Sequence, residues 1–221
     1  MYTGIITDIG RVREVVPGGV TRVVVETAYD TAAISLGASI ALSGPCFTVV
    51  EKGPGWFAIE ASNETLALTT VGGWRPGTRL NLEQSLKVGD EMGGHYVTGH
   101  VDGVATVSAR TPDGDSWRFR FRLPARLTRF VAPKGSIAID GVSLTVNEVI
   151  DHPDGSADIG VNIIPHTLSC TTFSDRQVGD RVNVEIDMLA RYVARLAEGD
   201  RAVRPLPGFA ADAIAEPPAA D

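Results

Sequence analysis

The 221-residue chain is 43% hydrophobic and has a formal net charge of −7, with 24 glycines, 13 prolines and 2 cysteines. This acidic balance argues against a nucleic-acid or anionic-membrane surface, because both need clustered lysine and arginine. Two cysteines are too few for a disulfide scaffold, whereas the apolar fraction is ample for a packed core. The length suits one large domain or two small ones.

The sequence shows no basic segment followed by an apolar stretch at its start, and no run of about 18 apolar residues anywhere. It therefore predicts neither a signal peptide nor a transmembrane helix. We expect a cytoplasmic protein with reduced thiols.

Short β-branched segments separated by glycine and proline fill about the first 185 residues, a texture typical of a β-barrel or sandwich. One of them, 117–123, alternates polar and apolar residues without a break, which is the period of a half-buried strand. The predicted strands are Arg22–Glu26, Ser39–Leu42, Thr48–Glu51, Trp56–Ala61, Gly103–Val107, Trp117–Leu123, Ser136–Ile139, Ser143–Val149 and Arg181–Ile186.

The spacing becomes helical from Asp187 onward, because Leu189, Val193 and Leu196 form one apolar stripe. Asp187 is predicted to cap this helix and to pair with Arg191 four residues later. We assign the helix to residues 188–202. Residues 203–221, rich in proline and alanine, are predicted to be a frayed, disordered tail.

Four sequence blocks occur twice in the same order, and chance explains this poorly. Residues 3–5, 38–49, 64–70 and 77–83 match residues 98–100, 135–146, 166–172 and 179–185. The spacing grows from 95 to 102 residues, through small insertions such as one near residues 151–155. A β unit of about 90 residues is therefore duplicated, and we predict domains at 1–87 and 88–187.

Several matched positions carry a small hydroxyl residue near glycine, namely Thr3, Thr98, Thr48, Thr145, Thr65 and Thr167. Such residues allow a flat ligand to approach the backbone, so they indicate two like pockets. Shared packing alone would also explain matched glycines. The mismatches place Gly37, Ser43, Cys46 and Ile5 opposite Lys134, Asp140, Ser143 and His100. Ionisable groups thus concentrate in the second copy.

Other chemistries have weak support in the sequence. His95 and His100 have no third ligand at a suitable spacing, so no metal site is expected. The two cysteines form no C-x-x-C pair, and a lone cysteine is more often buried than nucleophilic. Phosphate-binding loops and the Gly-x-Ser-x-Gly motif are missing.

The same motifs resemble those of riboflavin synthase of the α-chain type, a family built from a repeated lumazine-binding domain. The resemblance covers about residues 1–200. It rests on the Met-aromatic-Thr-Gly-Ile start, Ser-Gly-x-Cys-x-Thr-Val, Gly-Gly-His-x-Val-x-Gly-His-Val-Asp-Gly, Asp-Gly-x-Ser-Leu-Thr-Val and Ile-Pro-His-Thr-Leu.

The resemblance implies an all-β fold of two similar six-stranded antiparallel Greek-key barrels with a C-terminal helix. It implies a homotrimer joined by those helices, with each active site between the first barrel of one subunit and the second barrel of its neighbour. Two molecules of 6,7-dimethyl-8-ribityllumazine would exchange a four-carbon unit, giving riboflavin and 5-amino-6-ribitylaminopyrimidinedione. The family uses no metal and no redox cofactor. Association with lumazine synthase stays open.

Site residues follow from the same resemblance. His100, Ser143 and Thr145 match acid–base positions, and Cys46 matches an active-site thiol that acts as a nucleophile or a binding contact. Lys134, Asp140 and Asp187 match positions near the acceptor pocket or its supports. Substrate contacts are implied for Gly4, Ile5, Ile6, Thr48, Ser62 and Thr65 in the first barrel, and for Gly99, Val101, Ile164, Pro165, His166 and Thr167 in the second.

This chain departs from the family pattern at Tyr2, where phenylalanine is usual, and at His166, where many members have glutamate. Pro45 also stiffens the loop before Cys46. The alternative function is a non-catalytic lumazine- or flavin-binding protein of the same fold, like the lumazine proteins of luminous bacteria. A flavin reductase barrel would need an adjoining nucleotide domain, and a purely structural trimer leaves the matched polar residues unexplained.

Overall fold

A computed structural model describes residues 1–199, which form two β units in succession and a C-terminal helix. The first unit is a closed antiparallel barrel with the strand order β1-β2-β5-β4-β3-β6. Helix α1 (Asn63–Leu68) and a 3-10 turn (Thr70–Gly73) lie between its last two strands. The strands are β1 (Asp8–Val16), β2 (Thr21–Glu26), β3 (Ser39–Leu42), β4 (Cys46–Gly53), β5 (Trp56–Ala61) and β6 (Arg79–Gln84).

The second unit is a curled seven-stranded sheet with the order β10-β9-β13-β7-β8-β12-β11. Its strands are β7 (Gly103–Asp113), β8 (Ser116–Leu123), β9 (Ser136–Ile139), β10 (Val142–Thr145), β11 (Glu148–Asp151), β12 (Ala157–Ile163) and β13 (Arg181–Ile186). Its helical segments are α2 (Ala125–Thr128), α3 (Pro165–Cys170) and a 3-10 turn (Thr172–Ser174), and α4 (Met188–Gly199) follows β13.

The seventh strand arises because the counterpart of β4 is broken in two. Strand β4 shifts register between Val49 and Glu51 where it pairs with β5. The second copy is interrupted at the matching position, between Thr145 at the end of β10 and Glu148 at the start of β11. The predicted strand over Ser143–Val149 and the prediction of six strands in this unit are therefore corrected. The all-β fold of two repeats and a short C-terminal helix is confirmed.

Each unit has its own hydrophobic core. In β8, Phe119, Phe121 and Leu123 are fully buried, while the arginines between them face outward, as the alternation predicts. Phe173 packs against both phenylalanines, with ring centroids 5.7 and 6.2 Å away. In the first barrel, Phe47 packs against Trp74 instead.

Two matched asparagines join the units. The Asn81 side chain donates to the Asp140 carbonyl at 2.9 Å and accepts from the Thr172 N–H at 2.8 Å. Its counterpart Asn183 donates to the Ser43 carbonyl and accepts from the Thr70 N–H, both at 2.8 Å. Each buried asparagine thus satisfies two backbone groups of the opposite unit.

Sequence reasoning located several strands to the residue but missed β1, β6 and β12 as well as the short helices. The N-cap of α4 is confirmed, because Asp187 accepts from the Leu189 N–H at 2.8 Å. The predicted pairing of Arg191 with Asp187 is wrong, since Arg191 pairs with Asp102 at 2.8 Å. The predicted helix end at 200–202 and the tail at 203–221 lie outside the described residues.

Candidate functional site

The Thr-Gly segment of each repeat, Thr3-Gly4 or Thr98-Gly99, packs against the opposite unit; we call these two the crossing segments. The Ser143 N–H, in β10, donates to the Gly4 carbonyl at 2.8 Å, and Ile6 packs against the core of the second unit. Reciprocally, the Cys46 N–H, in β4, donates to the Gly99 carbonyl at 2.9 Å. Gly4 and Ile6 of the first repeat therefore lie against the second unit, and Gly99 of the second repeat lies against the first.

Glycine is required at the two positions where these segments contact the opposite unit. Gly4 and Gly99 each have φ +78°, a conformation that other residues rarely adopt. A Cβ at Gly4 would lie 2.6 Å from the Ser143 nitrogen, and one at Gly99 would lie 2.5 Å from the Cys46 Cβ. Only the bare backbone can approach this closely.

A buried carboxylate from the last strand of each unit holds each crossing segment. Glu83 accepts from the N–H and hydroxyl of Thr3 at 2.7 and 2.8 Å and from the Gly4 N–H at 2.9 Å. Glu185 binds the N–H and hydroxyl of Thr98 at 2.6 and 2.7 Å and the Gly99 N–H at 2.9 Å. Burial raises the pKa of Glu83, while its three donors act to lower it.

The first unit has a cavity of about 370 Å³ at Cys46, the residue that the Thr98-Gly99 segment contacts. Four predicted site residues line it, namely Cys46, Thr48, Ser62 and Thr65. The Ser62 hydroxyl caps α1 by accepting from the Thr65 N–H at 3.2 Å, and it lies 3.0 Å from the Thr65 hydroxyl. The helix start thus orients hydroxyls beside the thiol.

The buried side chain of Tyr2 contacts the Cys46 thiol that lines this cavity. Its hydroxyl donates to the Cys46 Sγ at 2.9 Å, and its backbone pairs with Val97. The side chain is 0% exposed, and burial raises its pKa above the ordinary range, so the phenol keeps its proton as a donor. The sequence marked Tyr2 only as a departure from the family pattern.

The second unit brings a histidine to Ser143. His95 Nδ1 lies 2.7 Å from the Ser143 Oγ, and the His95 N–H donates to the Thr3 carbonyl at 3.1 Å. Gly94 permits this contact, because a Cβ there would lie 2.0 Å from the Thr3 oxygen. From the sequence, His95 is a candidate only for metal binding. The adjoining Gly-Gly was the signal of a close backbone approach.

The environment keeps His95 neutral near pH 7. Burial lowers its pKa from the ordinary value near 6.5, and the negative charges of Asp187 and Glu185 oppose this shift. Its Nε2 is buried and has no hydrogen-bond partner among the described residues. A neutral imidazole beside a hydroxyl can accept that hydroxyl's proton, as a general base must.

His100 does not join Ser143. It is exposed and directly follows Gly99, the residue that lies against Cys46 of the first unit. Thr145 is exposed two residues beyond Ser143 and pairs with Ser136 across β9 and β10. Thr48 pairs with Ser39 in the equivalent way.

The remaining predicted contacts lie around the second unit or at the junction. Ile164 is the N-cap of α3, and Pro165, His166 and Thr167 form its first turn, the counterpart of the α1 start. Lys134 is exposed with φ +68°, and Ile5 is 47% exposed. Val101 is half-buried beside Gly44.

Asp140 lies inside the junction of the two units. It is 0% exposed, and its carboxylate accepts from Arg176 at 2.6 Å and from the Asn183 N–H at 2.8 Å. Burial raises its pKa, and the Arg176 charge opposes this. The expectation that Asp140 lies at the acceptor pocket or supports it therefore resolves to a supporting position.

Residues 1–199 contain neither a metal-binding cluster nor a membrane-spanning helix. In this part of the chain, no group of three or more His, Cys, Asp or Glu side chains is placed to hold a metal ion. No helix within it is long and apolar enough to cross a membrane.

Comparisons with known proteins agree with the duplicated geometry. The family model described as "Lumazine binding domain" matches residues 3–85 and again residues 98–187. The riboflavin synthase of Brucella abortus (strain 2308) is 53% identical over 206 residues, covering 90% of this chain and 98% of that protein. The chain belongs to the riboflavin synthase family.

A second relative and a solved structure are also similar to this chain. The riboflavin synthase of Mycobacterium tuberculosis (strain ATCC 25618 / H37Rv) is 40% identical over 201 residues, covering 89% of this chain and 98% of that protein. The crystal structure of LumP complexed with 6,7-dimethyl-8-(1'-D-ribityl) lumazine has a TM-score of 0.74 at 23% identity, covering 84% of this chain and 99% of that one. This likeness shows a shared fold.

Tyr2→Phe removes the hydroxyl that donates to the Cys46 sulfur and keeps the buried ring. A hydrogen bond to a charged group is worth about 1.5–3 kcal/mol, and about 1.4 kcal/mol is a factor of ten, so alkylation of Cys46 by iodoacetamide at pH 7.5 should slow at least tenfold. Mass spectrometry of the Cys46 peptide measures the rate, with the exposed Tyr96→Phe as the matched control. An unchanged rate in Tyr2→Phe would show that the phenol does not act on the thiol.

Proposed function

We propose that this chain catalyses the riboflavin synthase reaction, in which two molecules of 6,7-dimethyl-8-ribityllumazine yield riboflavin and 5-amino-6-ribitylaminopyrimidinedione by transfer of a four-carbon unit. The observation that carries the proposal is the pair of equivalent sites with different chemistry. One presents the Cys46 thiol backed by a phenol, and the other presents Ser143 beside a neutral histidine.

A reaction between two identical molecules needs two similar binding sites that face each other. Holding both rings in reactive geometry can supply about 7–11 kcal/mol of the barrier. One substrate molecule must donate the four-carbon unit and the other must accept it. Two identical pockets could not assign these different roles. The replacement of Cys46 by Ser143, and the presence of His95 at only one site, give each molecule a different environment.

Proton transfer is the remaining chemical task, because a ring methyl group must lose a proton while ring nitrogens gain protons. We assign the base of the second unit to His95 acting with the Ser143 hydroxyl, and Thr145 is the next hydroxyl along β10. Cys46 and His100 serve the first unit's pocket, with Cys46 as nucleophile or contact. Substrate contacts are assigned to Gly4, Ile5, Ile6, Thr48, Ser62, Thr65, Gly99, Val101, Lys134, Ile164, Pro165, His166 and Thr167.

We propose a homotrimer in which α4 supplies the contact between subunits. Leu189, Tyr192, Val193 and Leu196 are 65%, 61%, 65% and 71% exposed, and they share one face of α4. An apolar stripe of this kind is typical of an interface. The trimer would bring the first unit of one subunit against the second unit of its neighbour and so complete the site. We also propose a cytoplasmic location and association with lumazine synthase.

Purified protein incubated with 6,7-dimethyl-8-ribityllumazine tests the reaction directly. A catalyst converts the substrate to riboflavin and the pyrimidinedione in equal amounts, which chromatography quantifies. A non-catalytic binding protein of the same fold would shift the fluorescence of the lumazine without forming riboflavin, and that outcome would favour the alternative function.

His95→Asn should lower kcat by about 10²- to 10⁴-fold, the usual contribution of a positioned acid or base. The neutral ring is the active form and burial lowers its pKa, so the acid limb of the wild-type pH–rate profile should lie below pH 6.5 and should vanish in the variant. His152→Asn, at a histidine far along the chain beside Asp158, is the control. Wild-type turnover in His95→Asn would remove the residue from the mechanism.

Leu196→Glu places a charge on the apolar stripe of α4 and should convert the trimer to monomers with little turnover. Sedimentation velocity gives the assembly state. Arg195→Glu alters charge on the neighbouring, 82% exposed side chain and should leave both properties unchanged. A fully active Leu196→Glu monomer would contradict a site shared between subunits.

A further inference from the structure

A second polar cavity, of about 210 Å³, lies at the junction of the two units. It is lined by three arginines and by no acidic residue, although the whole chain has a net charge of −7. Its walls are Ser43, Thr70, Gly73, Trp74, Thr78, Arg79, Leu80, Arg176 and Arg181. None of the predicted substrate-contacting residues is among them.

The charges around this cavity do not balance. Arg79 pairs with the exposed carboxylate of Asp175, and Arg176 pairs with the buried carboxylate of Asp140. Arg181 has no carboxylate partner and no side-chain hydrogen bond within the described part of the chain. In addition, the Arg176 Nε is buried without a partner there. An unsatisfied buried donor in a native structure calls for a water or an ion.

The two repeats supply the cationic groups from opposite sides. Arg79 in β6 and Arg181 in β13 are the same position of the repeat, 102 residues apart, and both line the cavity. Arg176 stands where the first repeat has Trp74, so the third guanidinium exists only in the second copy. A ligand held here would touch both units at once.

We propose that this cavity binds a phosphate group, either inorganic phosphate or a small phosphate monoester. A guanidinium presents planar N–H donors that match two phosphate oxygens, and the Thr70 and Thr78 hydroxyls add neutral polar groups to the wall. The volume is below the 300 Å³ or so at which pockets begin to enclose larger organic ligands. The bound phosphate bridges the two units and stabilises their junction.

Isothermal titration with inorganic phosphate against sodium chloride of equal ionic strength tests the assignment. Wild-type protein and Arg118→Gln, at an exposed arginine of β8, should bind phosphate with the same Kd. Arg181→Gln should weaken binding at least tenfold, and Arg181→Lys, which keeps the charge but loses the planar fork, should fall between them. Phosphate should also raise the Tm of wild-type protein and not that of Arg181→Gln.

Ribose 5-phosphate serves as the monoester probe. Binding of both probes identifies a site open to an ester, and binding of phosphate alone identifies a site closed around the ion. Both titrations are repeated with saturating riboflavin, the product of the proposed reaction, which should not compete. Equal Kd values in wild-type protein and Arg181→Gln, or equal stabilisation by chloride, would overturn the proposal.

Discussion

The rest of the architecture depends on the hydrogen bonds that one buried carboxylate in each unit accepts from a Thr-Gly segment. Glu83 and Glu185 each accept three hydrogen bonds from a crossing segment and hold it against the opposite unit. Carboxylates suit this task because an ionised one only accepts, and hydrogen bonds to a charged group are stronger than neutral ones. Without these hydrogen bonds, the backbones of Gly4 and Gly99 would not be held in contact with Ser143 and Cys46.

Duplication gives the two sites one geometry, and a few substitutions give them different chemistry. The backbone N–H of Cys46 and that of Ser143 make the same bond to matched glycines. Cys46 is hydrogen-bonded by the Tyr2 phenol, which keeps its proton. Ser143 lies beside the His95 imidazole, which stays neutral. Burial drives both states, since it penalises the charged forms.

The fold was predictable because repetition and alternation are local signals, and the site was predictable only in part. Matched blocks and strands such as Trp56–Ala61 are visible in the sequence. The exchange of Gly4 and Gly99 between units is not, because the destination of a segment depends on tertiary contacts. The role of His95 is hidden in the sequence for the same reason, because its partner Ser143 lies 48 residues away. Asp140 looked like a site residue because burial is not visible in a single sequence.

The two repeats have consequently become inseparable. The glycine segment of each unit hydrogen-bonds to the other unit, and Asn81 and Asn183 each satisfy buried backbone groups of the opposite unit. Separating the units would leave those backbone groups without their partners, so the junction stabilises both units. The present chain makes those contacts internally, and this leaves the exposed stripe on α4 free for contacts between subunits.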